Sequence, residues 1–566
     1  MTVVDPPSAT EPAEPPAPLG AAAGRGGAVM VAAGILSSRL IGLLRTVVLA
    51  RYFGAGPHMD VLTTAMRAPN FLQNLLGEGT LSAAFIPIYS RLLHEGKREE
   101  AGRFAGAIFG LLLATAGALA LLGVLLARPI TAVLAMGFTG DEGAVDRFEL
   151  TVQAVRIIFP MTMFLVLSAW ALGVLNSHRR FFLPYFAPVV WNVAIIAALV
   201  WAGGWGAGGQ FSLAELDRLL FAACWGALAG GALQLLVQLP TVLRLLRSFR
   251  PSLSPRVAGV KEALGAFGPV LAGRGVVQLA GYLDIFLASF LAAGAIAALG
   301  YAQILYLLPI SLFGMSVAAS ELPELSRLGR ADATRAGEFL ERVRRSLRQM
   351  AVLNVPTFVG YLAFGYLIVG LLFRRVRFGA QDNWLVYLVL CGYTLGLLAS
   401  TSSRLLQNTF YALGETRTPA RIAALRVAVS AGLGAALMVW LDRYPVAGLT
   451  GQATAEDPLF LGAVGLALAS GVGAWLELLL LRRSLASRVE GSVLPLAEMA
   501  KMTGLALAAA VPAALAGWWL RGLPLAPRAV LVVGLYAALY LLLVRLAMPQ
   551  ELDVWIGRFG RRFRRR

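Results

Sequence analysis

Residues 37–60, SSRLIGLLRTVVLARYFGAGPHMD, place three arginines and an aspartate in an otherwise apolar stretch. A charged side chain at the centre of a bilayer costs roughly 2.5–3.5 kcal/mol, so such residues face the protein interior or a water-filled cavity. A guanidinium is planar, stays charged and binds phosphate oxygens in a bidentate way. Arg39 and Arg45 therefore predict a basic cavity for an anionic substrate. Arg51 is predicted to anchor the helix end at the membrane interface.

A polar stripe follows on the next helical stretch, between residues 60 and 78. With about 100° of rotation per residue, five polar side chains fall within about 40° of one line, and a sixth lies about 80° away. The five are Asp60, Thr64, Arg67, Asn74 and Glu78, and the sixth is Asn70. We expect Arg39 and Arg45 to lie opposite this stripe. Internal salt bridges that only hold helices together would give the same pattern.

Further polar side chains occur in the apolar segments of the second half of the chain. They are Arg274, Gln278, Asp284, Gln303, Glu321, Arg404, Gln407 and Asn408. The sequence has no pattern typical of covalent or metal catalysis, because its two cysteines are far apart and its three histidines lack ligand spacing. We predict a transporter with a polar cavity and no metal site, rather than an enzyme.

The elements that position these residues are membrane-spanning helices. Hydrophobic residues make up 58% of the chain and charged residues 14%, whereas soluble domains average about 45–50% and about 25%. Long apolar runs satisfy their backbone in lipid only as helices, so we predict an all-α polytopic membrane protein. The fourteen predicted transmembrane segments lie near 28–50, 60–92, 104–127, 150–176, 182–204, 216–243, 262–292, 295–323, 347–373, 384–413, 420–441, 458–481, 498–520 and 526–547.

The charge pattern predicts the orientation in the membrane. The formal net charge is +18, and the basic residues concentrate in every second loop and in the final RRFRRR. By the positive-inside rule, these loops and both termini are cytoplasmic. Arg374, Arg375 and Arg377 are an exception, because they fall on the predicted outer side. The basic loops lack interleaved aromatic residues, which argues against nucleic-acid binding.

An internal repeat divides the chain into two halves. PIYSRL at 87–92 matches PELSRL at 323–328, which lies 236 positions later, and FGAG at 53–56 resembles FLAAG at 290–294. Two six-helix lobes in a parallel pseudo-repeat around a cavity are typical of transporters. The predicted organisation is a disordered cytoplasmic tail (1–27), an N-lobe (28–250), a C-lobe (257–483), two further helices (498–547) and a basic cytoplasmic tail (548–566).

Several stretches carry a family resemblance from about residue 28 to the end of the chain. They are SSRLIGLLRTVVLARYFGAG…D…RAPN…GEGTLSAAFIPIYS from residue 37, ALGVLNSHRRFFLPYFAPVVWN at 171–192, ASFLAAG at 288–294 and YALGETRTP at 411–419. These stretches resemble the MurJ/MviN family, the lipid II flippases of the MOP superfamily. The resemblance implies a V-shaped pair of lobes, with two C-terminal helices forming a groove for a lipid tail.

The resemblance also implies the activity and its residues. Lipid II, a peptidoglycan precursor carried on undecaprenyl pyrophosphate, would move from the inner to the outer leaflet of the bacterial cytoplasmic membrane by alternating access. The family's functional positions correspond to Ser38, Arg39, Arg45, Asp60, Asn70 and Glu78. The arginines would grip the pyrophosphate, and the two acids would gate the cavity or orient the arginines. Membrane lipids and cell-wall synthesis proteins would be further partners.

The chain departs from the family pattern in its cavity charges. Gln73 and Asn74 stand where members often carry an arginine pair, and Ile304 stands where a cavity arginine falls. We expect Arg274 to replace part of this charge. Flippases for other undecaprenyl-pyrophosphate-linked glycans therefore remain an alternative.

The energy source also stays open at the level of the sequence. Asp284 resembles an aspartate that binds sodium in some relatives, but the polar partners expected within 420–441 are absent apart from Ser430. We expect no bound cofactor, and either the membrane potential or a monovalent cation would drive transport.

Two other classes of function are less compatible with the residues. A drug or cation antiporter would line its cavity with acids rather than with Arg39, Arg45 and Arg274. A membrane scaffold that recruits peptidoglycan enzymes would not need buried arginines beside a polar helix.

Overall fold

The computed structural model describes residues 25–77, 81, 84–140, 143–205, 211–314, 336–450, 459–486 and 494–551. Within these ranges the chain is almost entirely helical, and one isolated β-bridge joins Pro445 to Phe460. The helices, numbered in chain order, are α1 Arg25–Phe53, α2 Pro57–Leu76, α3 Ile86–His94, α4 Arg98–Leu125, α5 Ala127–Leu134, α6 Arg147–Ile158, α7 Met161–Ser177, α8 Phe182–Gly203, α9 Leu213–Leu245, α10 Val260–Ala288, α11 Ala295–Pro309, α12 Ala336–Phe373, α13 Ala380–Leu395, α14 Leu397–Ala412, α15 Arg417–Leu441, α16 Val446–Thr450, α17 Gly462–Ala486, α18 Leu496–Trp519 and α19 Leu525–Ala547.

The all-helical, polytopic prediction is confirmed, but the count of fourteen spans is not. Among the described residues, eleven helical spans are long and apolar enough to cross a membrane. A twelfth is the pair α13 and α14, which bends by 41° at Gly396. The two predicted spans left over coincide with α2 and α10, the helices that carry many of the polar residues noted above.

Three predicted segments are interrupted where the sequence cannot continue a helix. The segment 60–92 divides into α2 and α3, and α2 ends before Gly77. The segment 150–176 divides into α6 and α7 at Pro160, which lacks an amide hydrogen for the helix ladder. The segment 295–323 is α11 as far as Pro309 and continues as one π-turn, Ile310–Gly314.

In the described part of the chain, the largest core shared by the two halves lies at one end of the molecule. One hydrophobic cluster contains residues of both halves, including Phe53 and Tyr301. At the opposite end, the described residues form separate cores, one around Trp170 in the first half and one around Phe410 in the second. We call the shared end the closed end and the opposite end the divided end.

The connection between the halves is packed into the first half. Residues 247–252 follow a groove on α4, where a Cβ at Gly106 would lie 2.2 Å from the carbonyl oxygen of Arg250. The Phe249 ring lies 5.6 Å from Phe109 and 5.9 Å from Trp170, measured between centroids. Gly102 and Gly110 border the same groove, so small residues every fourth position admit the backbone. The first turn of α10 also belongs to the first-half core.

The last two helices pack on α12 in a core of their own. Pro356 lies inside α12 and has no amide hydrogen for the carbonyl of Val352. The Tyr540 hydroxyl of α19 donates to that carbonyl at 2.9 Å. A backbone group freed by a proline is thus satisfied by a neighbouring helix, as lipid surroundings require. The lipid-tail groove assigned to this pair stays a prediction.

Candidate functional site

Asp60 joins the two halves at the closed end. It lies in the first turn of α2, after the turn 53–56, and is completely buried. Its carboxylate accepts hydrogen bonds from the amides of Gly294 (2.6 Å) and Ala297 (2.7 Å) at the start of α11. The first amides of a helix have no partner inside it and carry partial positive charge. A carboxylate of the first half therefore caps a helix of the second half.

Arg147 is the cation that balances Asp60. Its Nη1 lies 3.5 Å from the Asp60 Oδ2, and its side chain is 5% exposed. The guanidinium also stacks on Phe138, with 4.5 Å to the ring centroid. The sequence suggested Arg39 and Arg45 as partners for the α2 stripe. That assignment is wrong for Asp60, because α6 rather than α1 packs beside its carboxylate.

Close backbone approach completes the seal at the closed end. The Tyr301 hydroxyl donates to the carbonyl of Gly54 at 2.8 Å. Gly294 has φ +93°, and a Cβ at this position would lie 2.3 Å from the carbonyl oxygen of Ala55. Gly54 has φ +61°, and its Cβ would lie 2.4 Å from the Arg377 oxygen. Both positions need glycine for the left-handed conformation and for the contact.

The exceptional arginines of 374–377 belong to this end. Arg377 meets Gly54 through its backbone, and Arg375 donates to the carbonyls of Arg374 (2.8 Å) and Leu371 (3.4 Å). Those carbonyls belong to the C-terminal turn of α12, where cations are favourable. Local helix capping therefore explains basic residues that the charge pattern left unexplained.

Two turns farther along α2, Arg67 also reaches the second half. Its Nη2 donates to Gln303 Oε1 on α11 at 3.0 Å, and its carbonyl accepts from the Tyr282 hydroxyl at 2.8 Å. Arg67 and Gln303 are 236 positions apart, and Asp60 and Ala297 are 237 apart. The first spacing equals the offset of the sequence repeat. Residues related by a two-fold axis touch each other only beside that axis, so α2 and α11 lie along the pseudo-axis.

The arginines of α1 lie elsewhere. α1 packs along α8, and the Arg45 guanidinium stacks over Trp191 of α8 with 4.9 Å to the ring centroid. Arg39 is exposed and Ser38 is half-buried. Arg51 donates to the Trp205 carbonyl at 2.7 Å, just beyond the C-terminal end of α8, which fits the expected anchor.

A cleft between α2, α10, α11 and α13 contains Asp284, one of the predicted residues of α10. Asp284, Arg67, Gln303 and Tyr393 line it, together with apolar neighbours. Asn70 is half-buried, less than one turn beyond Arg67. Arg274 lies on α10, but its side chain is outside the described structure, as is all of Glu78.

A second charged group in the C-terminal half was missed by the sequence reasoning. Glu477 of α17 is 2% exposed and accepts a hydrogen bond from Gln407 Nε2 at 2.6 Å. The Arg426 guanidinium of α15 donates to its other oxygen. The rule that singled out Arg39, a charge inside an apolar segment, applies equally to Arg426 and Glu477, whereas Arg147 precedes the predicted segment 150–176.

The surroundings of Asp284 are a poor fit for a monovalent cation. Hard cations prefer several oxygen ligands, by analogy with calcium and magnesium. Here the guanidiniums of Arg67 and Arg426 both lie within electrostatic range of the carboxylate, and the Gln303 oxygen already accepts from Arg67. Positive charge is supplied by the chain itself.

Comparison with known proteins gives one consistent family. A family model described as "Lipid II flippase MurJ" matches residues 49–541. The lipid II flippase MurJ of Burkholderia cenocepacia is 32% identical over 457 residues, which cover 80% of this chain and 82% of that protein. The probable lipid II flippase MurJ of Rhizobium meliloti is 32% identical over 524 residues, 89% of each.

Solved structures show the same fold. One described as lipid II flippase MurJ in an inward closed conformation has a TM-score of 0.70 at 21% identity, and covers 93% of this chain and 100% of that one. An inward-facing multidrug resistance transporter of the MATE family and MOP superfamily has a TM-score of 0.58 at 15% identity, over 80% and 95% of the two chains. With a family model that spans most of its length, the chain belongs to the MurJ family of lipid II flippases.

Proposed function

We propose that this chain moves lipid II from the inner to the outer leaflet by alternating access. The observation that carries the mechanism is the cap that Asp60 places on α11, because it closes one end of the molecule through contacts between the two halves. Opening that end must break both hydrogen bonds. Substrate can drive this change only by binding the two states with different affinity.

Basic residues support a cytoplasmic divided end, because the exposed Arg98, Arg103 and Arg250 lie beside the core around Trp170 at that end. Tryptophans favour both membrane–water interfaces and mark the other end of the spans. Trp201 is 90% exposed near the end of α8, whose last residue packs on Tyr52 beside the closed end. At the opposite end, Arg348 binds Glu551 at 2.7 Å beyond the end of α19. We therefore place the termini in the cytoplasm of a bacterium, in a multi-pass protein of the inner membrane.

The charges available to the substrate support an anionic headgroup. Arg39 is exposed on α1, and Arg45 presents a guanidinium on the same helix. These two side chains would bind the pyrophosphate, with Ser38 and Asn70 as polar neighbours and Arg274 as a further cation. Proteins of cell-wall synthesis would receive the product on the outer side.

Rescue of a depleted strain tests the function. A bacterium depleted of its own lipid II flippase should regain growth, cell shape and lipid II in the outer leaflet when it expresses this chain. The Arg39→Ala, Arg45→Ala double variant should restore none of the three, although it reaches the membrane, because the phosphate contacts are gone. Arg51→Ala is the matched control, since its partner is the Trp205 carbonyl, and it should still rescue.

A second candidate substrate shares the pyrophosphate chemistry of lipid II. Gln73 and Ile304 stand where the family resemblance implies cavity cations, which favours a different undecaprenyl-pyrophosphate-linked glycan as the alternative. Wild-type chain that reaches the membrane but restores neither growth nor lipid II translocation would contradict the proposal and favour that glycan.

A further inference from the structure

We propose that Arg426 is the fixed counter-ion of Glu477 and that Arg426 and Arg67 supply the positive charge beside Asp284, so that the second half of this transporter works without taking up a sodium ion. The binding part of this inference stands on the ion pair, the cleft and the charges around them, and its part in transport rests on the proposed function. The two parts call for separate measurements.

Glu477 needs a permanent cation. An isolated carboxylate inside a protein loses several kcal/mol of hydration, and only close pairing with additional hydrogen bonds compensates this loss. Glu477 is 2% exposed, and both of its oxygens are occupied, one by Gln407 and the other by Arg426. Each oxygen of this carboxylate therefore already has a hydrogen-bond donor, and one of the two donors is a cation.

Helix packing fixes Arg426 in place. α15 and α17 pack more extensively than other helix pairs of the second half. A Cβ at Gly473 would lie 3.4 Å from the Arg426 Cγ, so the arginine stem passes over a position without a side chain. The guanidinium then meets Glu477 one turn farther along α17. Such a cation is part of the fold.

Asp284 also lies beside positive charge. It lines the same cleft as Arg67, and among the charged side chains of the described residues Arg67 and Arg426 act on its carboxylate. Arg404 also acts on Tyr306, as Arg426 and Glu477 do, so within the described structure the guanidiniums of this region are at least as numerous as its carboxylates. An added sodium ion would meet two positive groups, and Coulomb repulsion acts strongly where water is scarce.

The two arginines behave differently during the transport cycle. Arg67 belongs to the first half and donates to Gln303 of the second, whereas Arg426 belongs to the same half as Asp284. Separation of α2 from α11 at the closed end takes Arg67 away. Arg426 moves with the second half, so Asp284 keeps one cation in both states.

Thermal unfolding of the purified full-length protein tests the binding claim. The unfolding temperature should be the same in sodium chloride and in choline chloride of equal ionic strength. Arg426→Gln removes the guanidinium bound to Glu477 and leaves this carboxylate with amides as its hydrogen-bond donors. This variant should unfold at lower temperature in choline, and sodium should restore part of the loss, because a ligand of the native state stabilises it.

Controls and opposing outcomes are available on the same helix. Arg421→Gln changes an exposed arginine of α15 and should leave both curves unchanged. Arg426→Lys keeps the charge and should remain indifferent to sodium. Should Arg426→Gln fail to fold, Arg426→Gln combined with Glu477→Gln removes the buried charge and should be recovered as folded protein. Sodium-dependent stabilisation of the wild type, or of Arg426→Lys, overturns the proposal.

Transport gives the second readout. Lipid II translocation by wild-type protein in vesicles should proceed equally with sodium or choline outside and inside. Translocation that stops without sodium would contradict the inference while leaving the flippase function intact. Absence of translocation in both salts would count against the function instead.

Discussion

Asp60 has three positively polarised neighbours, two backbone amides from the second half and one guanidinium from the first. Helical periodicity correctly places Asp60 and Arg67 on one face, because residues seven apart are separated by about two turns. Both side chains contact α11. The sequence could not identify the cation, since Arg147 lies 87 positions away and its proximity depends on how α6 packs against α2.

Replacing Asp60 by Asn tests this residue. Asn keeps the shape but presents an amide where a carboxylate accepted hydrogen bonds, and it leaves Arg147 buried without its counter-charge. Breaking a buried pair costs about 3–5 kcal/mol, so we expect a clear fall in the unfolding free energy and loss of rescue. Denaturant unfolding in detergent and growth of the depleted strain measure the two effects.

Asp217→Asn is the matched control at the same end of the molecule. Asp217 pairs with His58 at 2.9 Å, but its side chain is 40% exposed, so the variant should lose less than about 1 kcal/mol. A double variant, Asp60→Asn with Arg147→Gln, should recover stability but not rescue. Full rescue by Asp60→Asn would show that the cap on α11 is not part of the cycle.

Proline-interrupted helices are held together by tyrosines from their neighbours. Tyr361 of α12 donates to the carbonyl of Leu305 at 2.9 Å, because Pro309, four residues later, has no amide hydrogen for that carbonyl. Tyr540 of α19 donates to the carbonyl of Val352 in the same way. Hydropathy predicted these helices well, because each is a long apolar run. The cross-helix pairing was not predictable, because it joins residues 56 and 188 positions apart.

Replacing Tyr540 by Phe should destabilise the packing of α19 on α12. The ring still fills its space, but the Val352 carbonyl loses its partner, and an unsatisfied buried group costs about 1–3 kcal/mol. Tyr536→Phe is the control, because its acceptor, the Pro356 carbonyl, retains the helix amide of Gly360. Hydrogen exchange at α12 compares the two, and equal exchange in both variants would contradict the proline argument.

At the scale of the molecule, the two halves meet at one end and separate at the other. The repeat in the sequence predicted two related halves, and the spacing of contacts between α2 and α11 agrees with its offset. Which end is closed could not be predicted, because one sequence must encode every state of a transport cycle. Hydropathy predicts the extra helices and the repeat predicts the halves. Which conformational state the protein adopts depends on small differences in free energy between packings.

A disulfide across the pseudo-axis tests the movement of the halves. A Cβ at Gly300 would lie 3.7 Å from the Thr63 Cγ2, close enough for a bond between cysteines at these positions. In a chain without Cys224 and Cys391, Thr63→Cys with Gly300→Cys should form a disulfide that stops lipid II translocation. Reduction should restore it, because the closed end can open again.

A disulfide within one half is the control for this experiment. A Cβ at Gly434 would lie 3.5 Å from the Ala469 Cβ, and both belong to the second half. Gly434→Cys with Ala469→Cys should leave translocation active under oxidising conditions. Activity in the oxidised Thr63–Gly300 pair would mean that the closed end stays shut throughout transport.

The connection 247–252 in its groove on α4 has a consequence for synthesis. The first half gains its last core residues, Val260 and Ala263, as soon as the chain begins α10. We therefore expect this half to fold around its own connection while the ribosome is still making the second. Gly294 and Ala297 emerge after the side chain that they will bind. The hydrogen bonds to Asp60 therefore form when α11 docks onto a first half that has already folded.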